Sequence, residues 1–137
     1  MSEFAEFRAM RETLGLTRQD VADHVGVSLR SVKRWEDPNE GNLPSEDAWD
    51  LLYDADKKRT ETVLQALYAV RQSGAKTVQL TYYRTQEQYD ALERDDGPYG
   101  VANANARAIA ERLRDEGVEV EWAYPDETEN IYHQGGE

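Results

Sequence analysis

With 137 residues, 39% of them hydrophobic and 32% charged, the chain has room for one domain, or two small ones, under a polar surface. It has no cysteine, hence no disulfide framework or thiolate metal site, no apolar run near the roughly 20 residues that span a bilayer, and a start (MSEFAEFRAM) unlike a secretory signal. A cytoplasmic location with no membrane partner is therefore expected, and the net charge of −12 restricts any contact with nucleic acid to a local patch.

The first helix is predicted from Ser2, as cap, to Leu14, with Phe4, Phe7, Met10 and Leu14 as its apolar stripe and Gly15 as its stop. A second begins at Thr17, which has the capping-box spacing to Asp20; Val21, Ala22 and Val25 face inward. Gly26 supplies a turn at positive φ. A third helix starts at Ser28, with Val32 and Trp35 toward the core and Leu29, Arg30, Lys33 and Arg34 on the other side. Asp37 to Pro44 reads as a loop. Pro44-Ser45-Glu46-Asp47 is a strong helix start, and the helix runs to about Ser73 and stops at Gly74. Its middle, DADKKR, is so polar that the helix is exposed there or breaks in two.

The second half alternates. Val78, Leu80 and Tyr82 share one face of a strand within Lys76 to Arg84. Helices come next over Thr85–Arg94 and Val101–Glu116, the latter with Ala104, Ala108, Ile109 and Leu113 inward. A strand over Val118–Tyr124 comes after Gly117. Two strands make a poor sheet alone, so a strand from a second copy of the chain is expected to complete it. The expected fold class is mainly α with a small α+β part. It divides into a helical domain with its long connecting helix (1–73), a strand-helix-helix-strand dimerisation domain (74–124) and a mobile acidic tail (125–137).

Charge is uneven. Residues 1–73 hold 10 Lys/Arg against 14 Asp/Glu, and residues 74–137 hold 6 against 14. Within Ser28 to Glu36 the balance is three basic to one acidic. Since the Debye length is about 8 Å at physiological salt, this helix can act as a basic element in an acidic chain. Two short helices joined by a tight turn, the second basic on its outer side, suit the major groove of DNA. On that geometry Arg30 and Arg34, four apart, would read bases, with guanine O6 and N7 as the natural partners, and Leu29 would meet a thymine methyl. Arg18, Gln19, Ser28, Ser31 and Lys33 would contact phosphate. Lys33 has an equal claim to be a solvated charge, Trp35 is a core residue before it is a base-stacking one, and Lys57-Lys58-Arg59 reads as a solvated helix face. Tyr82, Trp122 and Tyr124 are expected at a dimer interface, although the wider aromatic set with Tyr83, Tyr89 and Tyr99 also has the composition of a ligand pocket. His24 and His133 are too isolated for a metal site, and no nucleophile–base pair or phosphate loop points to an enzyme or a cofactor.

The Thr17 cap, Ala22, Gly26, the Ser28 cap and the Val32/Trp35 pair resemble the helix-turn-helix of lambda-type (Cro-like, XRE-like) repressors over Phe7 to Trp35. Such proteins often carry Gln directly after the Thr cap; here Arg18 stands there, followed by Gln19. RSVKRWED, the Pro-Ser helix start and the TYYRTQEQYD passage are similar to the anti-CRISPR-associated autorepressors and related bacterial two-part regulators. That resemblance implies a homodimer on a palindromic operator, repression of its own operon, and an association with phages or mobile elements. An antitoxin whose acidic half covers a toxin protein, a ligand-sensing regulator, and binding of structured RNA stay open beside it.

Overall fold

The computed structural model describes residues 2–127. Among them the element order is α1 (Glu3–Leu14), α2 (Arg18–Val25), α3 (Leu29–Trp35), α4 (Glu46–Ser73), β1 (Thr77–Thr81), α5 (Gln86–Asp90), α6 (Tyr99–Asp115) and β2 (Glu119–Ala123). The protein is thus mainly helical with one small sheet. No helix of the described residues is long and apolar enough to cross a membrane. The helix predicted to bridge the polar DADKKR stretch is continuous as α4, but the two compact units divide between Thr60 and Glu61, not at Gly74.

In the first unit each helix starts on a side-chain oxygen that accepts from a free N–H of the first turn. Ser2 accepts from Ala5 N, and Ser28 accepts from Ser31 N. Thr17 and Asp20 form a full capping box. Ser45 accepts from Ala48 N at 3.2 Å to start α4. Gly26 closes α2 at φ 80°, and a Cβ there would meet nothing within 4 Å. The backbone angle, not crowding, is what asks for glycine. These caps fix the directions from which Phe7, Leu14, Val21, Val32 and Leu52 converge into a sealed core. Phe7 sits edge-on to Trp35 and Trp49, with centroids 6.0 and 5.2 Å apart. Each such buried side chain contributes on the order of 1.5–3 kcal/mol.

In the second unit the stripe of α4 resumes for a different core. Val63 and Leu67 pack with Ile109 and Leu113 of α6, and Val78, Leu80, Val118 and Val120 are half-buried against them. This is why the division precedes Gly74: the part of α4 beyond Thr60 shares its core with α6 and the sheet. β1 and β2 pair parallel, in register from Thr77↔Glu119 to Thr81↔Ala123. A parallel pair needs a long crossover, supplied by α5 and α6. The helices cover one face of the sheet, while Thr77, Gln79, Glu119 and Glu121 are exposed. Among the described residues the sheet has two strands only.

Polar side chains hold the crossover. Asn103 is buried in α6; its Oδ1 accepts from Tyr83 N and its Nδ2 donates to Tyr83 O, both at 2.9 Å. The amide thus stands in for a neighbouring strand just past β1. Gln86 donates to Gly97 O and accepts from Tyr99 N, closing the loop before α6. α5 is shorter than the expected Thr85–Arg94, because the chain turns at Ala91–Glu93 and Glu93 takes φ 50°. Tyr89 is buried edge-on to Tyr83, and burial, then its bond to Asp95, pushes its phenol well above the usual range. Of the acidic tail, Pro125–Glu127 are described, with Glu127 Oε2 accepting from Tyr124 N; the rest, with His133, lies outside the described residues.

The Asn103 clamp is testable. Asn103→Leu keeps the volume but strands a buried N–H, and is expected to cost about 1–3 kcal/mol in urea denaturation. An unchanged midpoint would show that the clamp contributes nothing.

Candidate nucleic-acid interface

α3 is seven residues long, so its placement depends on what anchors it. Val32 and Trp35, three apart, are buried at 0% and 7% exposure. The opposite side then faces solvent: Arg30 and Lys33 are exposed and Arg34 is half-buried. Among the described residues neither Arg30 nor Lys33 makes an ion pair, while Arg34 Nε approaches Glu40 at 3.8 Å. That last contact is open to water and weak.

The acid of this segment is not on the surface. Glu36, which ends α3, has a side chain only 2% exposed. Arg11 of α1 grips it at both oxygens, through Nε (2.7 Å) and Nη2 (3.0 Å), and donates Nη1 to Leu16 O at 2.9 Å. Arg18, the first residue of α2, adds Nε to Glu36 Oε1 at 3.1 Å. The negative charge is thus neutralised inside the unit, and the charged groups that Ser28 to Trp35 presents outward are all cations. Arg18, expected to contact phosphate, is held at Nε; its terminal nitrogens have no hydrogen-bond partner among the described residues.

Sequence reasoning missed Arg11 and Glu36. A signal existed for Arg11: it lies four residues after Phe7 and three before Leu14, on the buried stripe. A charged residue at a core position asks for a partner.

The structure brings part of the predicted set together. Arg18, Gln19, Leu29 and Lys33 line one open groove of about 540 Å³ beside Leu16 and Thr17. Arg30 and Arg34 do not line it. Gln19 Nε2 donates to Asp23 Oδ1, and the Ser28 and Ser31 hydroxyls bond each other at 3.1 Å, so these polar groups have local partners. Lys57 and Lys58 are exposed on α4, and half-buried Arg59 lies 3.7 Å from Asp56.

The residues expected at a dimer interface gather elsewhere, in the second unit. Tyr82, Trp122 and Tyr124 line a cleft of about 850 Å³ with Arg107 and Arg114. Tyr82 meets Trp122 edge-on at 5.5 Å and takes a 2.6 Å hydrogen bond from Arg107 Nη1; Arg84 lies over the Tyr124 ring. Among the described residues no group of His, Asp and Glu is arranged to hold a metal ion.

No family model and no curated protein matches this chain.

Breaking the internal ion pair should be costly. Glu36→Ala leaves Arg11 charged and buried, and is expected to destabilise the first unit by about 3–5 kcal/mol. The double variant Arg11→Met, Glu36→Leu is expected to lose much less. Urea denaturation of the single and double variants checks this; additive losses would count against the pairing.

Proposed function

We propose that the protein is a sequence-specific DNA-binding repressor that acts as a homodimer on an inverted repeat. The observation that carries this reading is the basic outer side of α3, anchored by Val32 and Trp35, with the acid that follows it drawn inside by the Arg11–Glu36 pair. α2, the Gly26 turn and α3 serve as a helix-turn-helix, with α3 in the major groove. Arg30 and Arg34 read base edges, and Leu29 packs on a thymine methyl. Arg18 and Lys33, on the rim of one groove, neutralise phosphates. Two copies place their α3 helices about 34 Å apart along the DNA and match a palindrome. Repression results from occlusion of a promoter, the protein's own in the first instance.

The acidic remainder fits this role. Non-specific affinity for DNA is largely electrostatic and scales with the number of neutralised phosphates. A protein with a net charge of −12 binds random DNA poorly and depends on base contacts.

Selection of bound duplexes from a random pool, followed by gel shifts, tests the reading. Arg30→Ala is expected to lower specific affinity by about 1–3 kcal/mol, roughly 5- to 150-fold, and to relax preference at one base position. Lys33→Ala is expected to weaken binding evenly across sequences and to reduce the salt slope by about one. Failure to enrich any duplex, or an Arg30→Ala variant with unchanged preference, defeats the proposal.

A further inference from the structure

Parallel pairing determines which peptide groups of each strand remain free. Tyr82 N–H donates to Ala123 O (2.9 Å), and Glu119 N–H donates to Lys76 O (2.8 Å). The even-numbered residues along β1 therefore turn their peptide groups toward β2, and alternation sends those of Thr77, Gln79 and Thr81 outward. Both ends of this window are closed. Ala75 N–H donates to Ser73 Oγ at 3.1 Å, and Asn103 occupies both peptide groups of Tyr83. Between them no third strand is present among the described residues. A bare edge of this kind is a template for another strand.

The two edges of the sheet differ in charge. From Thr77 to Tyr83, TVQLTYY, β1 and its extension carry no charged residue and no proline. β2 turns the peptide groups of Val120 and Trp122 outward, but Glu119 and Glu121 flank them. Pairing β2 with its own copy about Glu121 would set Glu121 against the partner's Glu121, and like charges directly opposite destabilise a pair.

We propose that a second copy of this chain pairs antiparallel with β1, edge to edge, on a two-fold axis at Gln79. The inference rests on the homodimer reading above and names its contact surface. With the axis at Gln79, Thr77 lies opposite the partner's Thr81, and Gln79 lies opposite the partner's Gln79. All outward groups of the window are then used, in about six hydrogen bonds. Moving the axis one residue, to Val78 or Leu80, sets Thr81 against the partner's Ala75 or Thr77 against the partner's Tyr83, both already engaged. The side chains agree with this register. Val78 meets the partner's Leu80 on the helix-covered face, and threonine meets threonine on the open face. The product is a four-stranded sheet with acidic strands at its rims, which removes the marginality of a two-stranded one. Tyr82, Trp122 and Tyr124 are then left to the cleft.

The test uses the full chain, which has no cysteine of its own. Light scattering at micromolar concentration is expected to give a dimer mass. Single-cysteine variants Gln79→Cys, Glu121→Cys and Leu64→Cys, all at exposed positions, are then oxidised mildly. Opposed antiparallel residues have Cα atoms about 4.5–5.5 Å apart, within disulfide reach. Gln79→Cys is expected to form a covalent dimer about tenfold faster than the other two. A dimer in which Gln79→Cys does not cross-link preferentially overturns the edge assignment and leaves the homodimer reading standing. A monomer mass overturns both.

Discussion

The buried carboxylate of Glu36 is the constraint on which the first unit turns. It is reached from α1 by Arg11 and from α2 by Arg18, and it sits at the residue that ends α3. Arg11 also holds the Leu16 carbonyl, so the link between α1 and α2 is pinned by the same guanidinium. Apolar side chains of similar volume often replace such a cluster at no loss of stability. What the ionic version supplies is placement. It takes the negative charge off the outer side of α3 and holds Arg18 at the mouth of the groove. Core packing and surface potential are thus two results of one interaction.

How much of this is legible in the sequence depends on distance along the chain. The Ser2, Thr17, Ser28 and Ser45 caps and the Gly15 and Gly26 stops act within a few residues, and each falls where local pattern places it. The Arg11–Glu36 pair spans 25 residues and the Asn103–Tyr83 clamp spans 20, and neither leaves a local trace of its partner. α4 shows a third case. Its polar DADKKR stretch poses the right question, a break or an exposed stretch, but both have a part: the helix continues while the packing changes hands at Thr60. Periodicity reports that a face is buried, and not against what.

The aromatic residues of the second half show the same limit. Tyr82 follows the alternation of Val78 and Leu80, yet it stands one residue past the end of β1 and borders the cleft rather than the helix-covered core. Acidic residues, in composition only an obstacle to DNA binding, acquire a local sense once β2 is placed. Glu119 and Glu121 are exposed on β2, where like charges directly opposite would disfavour pairing of that strand with a copy of itself.

The crossover topology also carries a cost in time. Paired residues of β1 and β2 lie 42 positions apart in the chain. At about 5–20 residues per second of synthesis, β1 leaves the ribosome roughly 2–8 s before β2 exists. Through that interval the uncharged TVQLT segment has neither neighbour, whereas the helices of the first unit already hold all of their chain. Until β2 emerges both edges of β1 stand open, and its arrival closes one of them.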